Sequence, residues 1–273
     1  MPRDRGCGRG TVDVMTDHAT KAAELARLHA APQLLELSNV WDVASATAVA
    51  AVEGTTALAT ASHSIAAAHG YPDGEQIPLE LHLAAIARIT ASTDLPVTAD
   101  LEAGYGDPGD TARRAIAAGA VGMNLEDELL PVMDAIGAVE AVVAAREAEG
   151  TGFVLNARTD AILKAPEGKS PADVVADAIV RGRAYLASGA DCVFVPGVRE
   201  LDTIAELVAA FGPQKLSVIA GPGGPSIAEL EGLGVARASV GPFSYRLALT
   251  ALQDATAVLL AGGALPEGIR PVV

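Results

Sequence analysis

Short apolar runs alternate along this chain with longer alanine-rich segments in which polar residues recur at helical spacing. Eight apolar runs have the length expected of buried strands, and they cover residues 34–37, 56–60, 96–100, 121–126, 153–158, 192–196, 216–220 and 236–240. Helical patterns cover residues 42–53, 79–92, 109–118, 135–149, 171–187, 200–211, 226–232 and 243–261. Strands that alternate with helices predict a parallel sheet covered by helices.

Two architectures fit this alternation, a (β/α)8 TIM barrel and a doubly wound open sheet. Polar residues follow many of the predicted strands, which favours the barrel because its active site is assembled from the carboxyl ends of all its strands. We therefore predict an α/β protein with a single (β/α)8 barrel domain over residues 16–273, including C-terminal helices. Residues 1–15 are charged and glycine-rich without an apolar core, and we predict a disordered tail there.

Composition narrows the classes of partner and the compartment. The chain has 19 basic and 34 acidic residues and a net charge of −15, which argues against a nucleic-acid partner because phosphate binding needs clustered Lys and Arg. No apolar run is long enough to cross a bilayer, and we expect no secretory signal in the first residues because they have no apolar core. Cys7 and Cys192 are the only cysteines, which predicts no disulfide framework or structural zinc site and is typical of a reducing cytoplasm.

Candidate chemistry follows the second to fifth predicted strands. The residues concerned carry carboxylate, amide, hydroxyl, imidazole or guanidinium groups, and they are Ser62, His63, Asp73, Asp100, Glu102, Glu126, Asp127, Asn156, Arg158 and Asp160. Carboxylates that converge on one mouth repel each other unless a cation lies between them, and Mg2+ prefers such oxygen ligands. The spacing of Asp100 and Glu102 predicts side chains on one side of an extended segment. Arg158 offers a planar fork for a substrate carboxylate.

Five motifs in this order resemble the isocitrate lyase and phosphoenolpyruvate mutase superfamily: WDVASA, GYPDG, ADLEAGYG, GMNLED and NARTD. The segments VPGVREL and LGVARASVGP are similar to its C-terminal half, so that the resemblance covers residues 30–260. It implies a TIM barrel of the phosphoenolpyruvate-binding type, with a Mg2+ site that Mn2+ could also fill. It also implies an enzyme that stabilises an enolate of a small 2-oxo acid, and a homotetramer with exchanged C-terminal helices.

The resemblance also implies roles for individual residues. Asp100 is expected to bind the metal directly, and Glu102 and Glu126 are expected to hold it through waters. Asp73 is expected near the reacting bond, where Arg158 stabilises developing charge and Glu126 assists. Substrate binding is expected to involve Trp41, Ser62, Asn156 and Arg158, with backbone donors near Ser62 facing the substrate carboxylate.

Two departures from the superfamily pattern limit what the resemblance implies. The metal pair is more often Asp-x-Asp, and Glu102 is longer by one methylene. The lyases also carry a lid motif with Cys, Lys, Gly and His after the fourth strand, where this chain reads EDELLPVMDAIGAVEA without Cys or His. The general acid that those lyases use is therefore missing, and His63 is a candidate replacement for it.

Several candidates also have plainly structural interpretations. Asp73 fits an ordinary Pro-Asp-Gly turn, Trp41 fits a core position, and Arg158 could pair with Asp160 or Glu126. Three functions remain open from the sequence. The first is a Mg2+-dependent lyase or decarboxylase of oxaloacetate type, the second is a phosphonate mutase or hydrolase, and the third is a barrel that binds a metabolite without turnover.

Overall fold

The computed structural model describes residues 11–272 of the chain, with side chains from residue 17 onward. Its strands are β1 Leu35–Leu37, β2 Asn39–Val40, β3 Leu58–Thr60, β4 Val97–Asp100, β5 Gly122–Glu126, β6 Val154–Arg158, β7 Cys192–Phe194, β8 Leu216–Ile219 and β9 Arg237–Ser239. Its helices are α1 Thr11–Ala30, α2 Val43–Ala50, α3 Ser62–Ala68, α4 Leu79–Thr90, α5 Pro108–Ala117, α6 Val132–Glu149, α7 Pro171–Ala187, α8 Leu201–Phe211, α9 Ile227–Gly232 and α10 Phe243–Leu260.

All the strands pair in parallel, in the order β1-β9-β8-β7-β6-β5-β4-β3-β2. The two strands at the ends of this order, β1 and β2, are separated in sequence by Ser38 alone. They are therefore two parts of one broken strand, so the sheet curls into a nearly closed barrel. The predicted (β/α)8 fold is confirmed, with the first predicted strand lengthened to Val40.

Several helix ends follow local sequence signals. Asp42 caps α2, accepting a bond from Ser45 N at 2.7 Å while Ser45 Oγ accepts from Asp42 N at 3.1 Å. Ser170 caps α7 just before Pro171, and α6 ends at Gly150, whose φ of +62° is left-handed. Because such signals are local, most helices begin and end close to the predicted residues.

Two helices were not predicted. Ser62 and His63 were expected in a loop, but they begin α3, whose first turn has no side-chain cap and hence no start signal in the sequence. Helix α1 starts at Thr11 and overlaps the predicted tail of residues 1–15; residues 1–10 and Cys7 lie outside the described part of the chain.

Helix α1 lies across the amino ends of the strands. Its Ala22 and Leu25 are completely buried against residues at strand starts, among them Leu35, Val121 and Val154. His18 Nε2 also lies 2.9 Å from the carbonyl oxygen of Ala120. The helix therefore covers the base of the barrel, and the carboxyl ends of the strands form its open mouth. Between residues 11 and 272 no helix is both long and apolar enough to cross a membrane.

Candidate active site

A cavity of about 350 Å3 opens at the carboxyl ends of the strands. Four of the predicted site residues line it: Ser62, Asp73, Asp100 and Arg158. His63 and Asn124 also line it. The side chains of Trp41, Glu102, Glu126 and Asn156 do not, so the structure brings together only part of the predicted set.

Asp100 ends β4 and is held by α3. Its Oδ2 accepts bonds from Ser62 N at 3.0 Å and from Ser62 Oγ at 2.9 Å, and its own N–H donates to Thr60 Oγ1 at 2.9 Å. These two donors fix the carboxylate at the cavity wall. The Ser62 N–H, which the resemblance assigned to a substrate carboxylate, here donates to Asp100.

Glu102 does not lie on an extended segment, so the predicted extended geometry of the Asp100 and Glu102 pair is wrong. Its φ of +54° is left-handed, and the alternation of side chains along a strand ends before it. The side chain is 3% exposed, and its Oε2 accepts a bond from Glu75 N. Its Oε1 is buried without a partner among the described residues. Burial raises the pKa of Glu102 to about 7, helped by the charges of Asp100, Asp73 and Glu75.

The loop that carries Asp73 is fastened to the loop after β4. Glu75 forms this link, since its N–H donates to Glu102 while its Oε1 accepts from Tyr105 N at 2.6 Å. Glu75, Glu102 and Tyr105 all have φ between +53° and +57°, an unfavourable region for residues other than glycine. Such strain persists only where surrounding contacts impose it, and it tends to cluster at functional sites. Asp73 itself is exposed at the cavity rim.

Arg158 lies at the centre of an ion-pair network at the end of β6. Its Nη1 lies 2.5 Å from Glu126 Oε2, and its Nε donates to Asp160 Oδ1 at 2.7 Å. Lys164 Nζ lies 2.7 Å from the other oxygen of Asp160. Burial alone would lower the pKa of Arg158, but the charges of Glu126 and Asp160 hold it above its ordinary value. The ion pairs proposed from the sequence are present, and the guanidinium still reaches the cavity.

Asp127 and Asn156 were candidates for the site, but their side chains bind buried partners and do not line the cavity. Asp127 accepts bonds from Tyr185 Oη at 2.7 Å and Arg181 Nη1 at 3.2 Å, so it fastens α7 to the barrel. Asn156 lies in the barrel interior, where its Nδ2 donates to Asn124 Oδ1 at 2.9 Å. Asn156 therefore supports Asn124, a residue of the cavity wall.

Trp41 packs against helix α10 rather than against the cavity. Its ring meets the Tyr245 ring edge-on, with centroids 5.0 Å apart. Cys192 is buried in β7, and burial raises the pKa of its thiol to about 12, as expected for an inert core residue.

The carboxylates suit a hard divalent cation in their chemistry. Asp100 faces the cavity, and Glu102 Oε1 is a buried acceptor with no donor among the side chains and backbone that the structure describes. Among the residues that the structure describes, no three His, Cys, Asp or Glu side chains are grouped to hold an ion directly. Glu126 pairs with Arg158, and Glu102 accepts a bond from Glu75. The resemblance implies that Glu102 and Glu126 bind the ion through waters. Such binding does not require their carboxylates to touch the ion.

Sequence reasoning missed two arginines of the cavity wall, Arg199 and Arg246. Arg199 follows β7 in the motif VPGVREL, and Arg246 lies in the first turn of α10. The position of Arg199 after a strand was an available signal, since residues at carboxyl strand ends reach the mouth of a barrel. Arg246 had no such signal because its segment was assigned only as a helix.

The chain is similar to known bacterial proteins. An uncharacterised Mycobacterium tuberculosis protein is 34% identical over 85% of this chain and 87% of its own length. An oxaloacetate decarboxylase of a Bradyrhizobium species is 31% identical over 74% of this chain and 71% of its own length.

Solved structures show the same fold. A Burkholderia cenocepacia protein provisionally named a phosphonomutase has a TM-score of 0.82 and 41% identity, covering 90% of this chain and 100% of its own. Oxaloacetate acetylhydrolase with its product oxalate has a TM-score of 0.81 and 25% identity, covering 93% of this chain and 92% of its own. A further structure of that enzyme contains the inhibitor 3,3-difluorooxalacetate.

A parallel barrel with acidic and basic side chains around a cavity at its mouth defines an enzyme of the TIM-barrel class. The model of the phosphoenolpyruvate phosphomutase family matches residues 25–260, and the chain belongs to that family. The relatives and neighbours are lyases and mutases of the phosphoenolpyruvate mutase and isocitrate lyase superfamily, which confirms the assignment made from the motifs.

Proposed function

We propose that this enzyme is a Mg2+-dependent lyase or decarboxylase that acts on a small 2-oxo acid of the oxaloacetate type. The observation that carries the proposal is the presence of Asp100, Ser62, Asp73 and Arg158 around one cavity. The similarity to an oxaloacetate decarboxylase and to oxaloacetate acetylhydrolase supports the same substrate class.

Asp100 would hold the metal directly, and Glu102 and Glu126 would hold it through waters. When bound, Mg2+ or Mn2+ would supply a Lewis acid beside the carbonyl oxygen of the substrate. The unpartnered Oε1 of Glu102 is the feature of this chain that best fits the ion.

The chain's own residues would orient the substrate and move the proton. Arg158 would bind the 2-oxo acid carboxylate, held in place by Glu126 and Asp160. In decarboxylation of oxaloacetate the C3–C4 bond breaks and C4 leaves as CO2. The electron pair of that bond forms the enolate of pyruvate, and a proton then adds to C3. His63 lines the cavity, and its buried Nδ1 has no hydrogen-bond partner within the described part of the chain. We assign it as the proton donor, with Asp73 beside the scissile bond.

A panel of substrates tests this proposal. Release of pyruvate from oxaloacetate, substituted malates and phosphonopyruvate would be followed with and without Mg2+, and we expect oxaloacetate to react only with the metal. Asp100→Ala should weaken Mg2+ binding about 10-fold or more with little loss of fold. Exposed Asp94 provides a matched control, Asp94→Ala. If no compound reacts and oxalate fails to bind in the presence of Mg2+, the proposal is wrong.

A phosphonate mutase or hydrolase is the second candidate. The similarity to the Burkholderia protein favours it, and so does the absence of a lid cysteine from the segment after β5. Turnover of phosphonopyruvate in the same panel, without turnover of oxaloacetate, would select it. The third candidate function, a barrel that binds a metabolite without turnover, has no support from these relatives.

We also propose that the chain forms a homotetramer through α10. This helix has no buried residue, and it exposes Leu247, Leu252 and Leu260. A groove of about 710 Å3 beside β1 is lined only in part by apolar residues, among them Val49 and Ile227. The α10 helix of a second copy would cover it. Light scattering tests this, and a monomeric mass at micromolar concentration would refute it.

A further inference from the structure

Residues 71–74 are the exposed part of the loop between α3 and α4, and Asp73 is one of them. Gly70 and Gly74 lie on either side of Asp73 with left-handed φ of +81° and +87°, a conformation that glycine adopts readily. Burial in the core therefore does not fix Asp73. A defined position at the cavity rim requires a contact from another part of the chain.

Glu75 provides such a contact two residues after Asp73. Its N–H donates to Glu102 Oε2, and its Oε1 accepts from Tyr105 N at 2.6 Å. The second bond ends on a carboxylate, which makes it stronger than a bond between neutral groups. Glu75 thereby ties the Asp73 loop to the loop after β4 through both its backbone and its side chain.

The loop after β4 is itself anchored in the barrel. Tyr105 Oη lies 2.8 Å from Nδ1 of His82, a completely buried residue of α4. The carbonyl oxygen of Glu102 accepts a bond from Glu126 N at 2.8 Å, which joins the same loop to β5. The link from the neighbouring loop therefore ends on a part of the fold that keeps a fixed position relative to Asp100.

The backbone of Glu75 indicates that this link holds the loop against its local preference. Its φ of +57° is left-handed, an unfavourable conformation for a residue other than glycine. Such a residue relaxes unless surrounding contacts prevent it. The bonds to Glu102 and Tyr105 are contacts of this kind, and their loss should release Asp73 from its place at the rim.

We propose that Glu75 is a positioning residue that holds Asp73 beside the bond that reacts. The role of Asp73 in the reaction rests on the proposed function. Glu75 does not line the cavity, so its effect on turnover passes through Asp73. A path through Glu102 instead would also change the binding of Mg2+ and oxalate, which separates the two cases.

Two variants separate the hydrogen bond of Glu75 from its charge. Glu75→Ala removes the acceptor for Tyr105 N, whereas Glu75→Gln keeps an oxygen that can accept the same bond. Gln76→Ala is the matched control, since Gln76 is exposed in the same loop and its Nε2 donates to Gly74 O at 2.9 Å within that loop. Thermal midpoints verify that each variant is folded.

With oxaloacetate and Mg2+, Glu75→Ala should lower kcat by about 10- to 100-fold, the loss typical of a misplaced catalytic group. Calorimetric binding of oxalate with Mg2+ should stay within about twofold, because Asp100 and Arg158 are unchanged. Glu75→Gln should restore kcat to within about fivefold of the wild type. Gln76→Ala should match the wild type in both measurements.

A double variant tests the path through Asp73. In an Asp73→Asn background, Glu75→Ala should lower kcat by no more than about twofold further, because the group that Glu75 positions is already lost. Wild-type kcat in Glu75→Ala, an equal loss of oxalate affinity, or an undiminished effect in the Asp73→Asn background would overturn the proposal.

Amide hydrogen exchange measures the link without requiring turnover. Glu75→Ala should reduce the protection of the Tyr105 N–H by about 10- to 100-fold, because a hydrogen bond to a charged group is lost, and exchange across residues 70–77 should increase. If no compound of the substrate panel reacts, the proposed reaction is wrong, and exchange alone decides whether Glu75 fixes the Asp73 loop. If oxaloacetate reacts with Mg2+ while Glu75→Ala turns over like the wild type, the reaction stands and the positioning role is wrong.

Discussion

Arg158 donates through Nε to Asp160 Oδ1 at 2.7 Å, and the Asp160 side chain is completely buried. Arg158 lies two residues before Asp160 in sequence, and its guanidinium reaches the cavity. The charge of Asp160 therefore acts on a group of the cavity wall. Asp160 contacts no part of the cavity itself, so it is a positioning residue for Arg158.

Asp160→Asn should lower the affinity for oxalate by about 10- to 100-fold, because the change removes one charge-assisted bond that orients Arg158. Titration of oxalate in the presence of Mg2+ measures this. Asp177→Asn is the matched control, since Asp177 pairs with Lys169 and Arg181 outside the cavity. A lower thermal midpoint with unchanged oxalate affinity would show that Asp160 is structural only.

Substitution of Gly104 and Gly106 by alanine separates two causes of destabilisation, a left-handed backbone and steric overlap of the new Cβ. Both have left-handed φ, +94° and +80°, but a Cβ on Gly104 would lie 2.8 Å from Pro108 Cα whereas one on Gly106 meets nothing within 4 Å. Gly106→Ala should reduce the free energy of unfolding by about 1–2 kcal/mol and Gly104→Ala by about 2–5 kcal/mol. Urea unfolding checks this; equal losses would mean that α5 moves aside.

The buried His82 should make stability depend on pH. Burial lowers its pKa to about 4, and its Nδ1 lies 2.8 Å from Tyr105 Oη. The unfolded state takes up a proton near pH 6.5 whereas the folded state resists it, so this contribution is present above pH 6.5 and lost towards pH 4.

Urea unfolding at pH 7 and pH 5 isolates this effect. His82 alone should lower the free energy of unfolding of the wild type by about 2 kcal/mol between pH 7 and pH 5. In His82→Gln the decrease between the two pH values should be smaller by that amount. The comparison uses the difference between pH values, so a constant destabilisation of the variant does not affect it. An identical pH dependence in both proteins would mean that His82 is protonated in the folded state.

The sequence predicted the barrel and most helices because period and caps are local signals. It placed Asp100 correctly at the end of a strand, since a strand end is also a local property. It did not predict where Glu102 points, because its backbone is left-handed and its side chain accepts a bond from Glu75, which is 27 residues away in sequence. Arg246 was missed for the same reason, since only the folded chain brings the start of α10 to the mouth.

Helix α1 covers the barrel at the end opposite the cavity. The residues that hold the fold closed are thus separate from the loops that carry Asp73 and Arg199. Changes in those loops can accumulate during evolution with little effect on folding. One scaffold can in this way acquire a new specificity by replacement of a few residues at its rim, as the different reactions of its relatives illustrate.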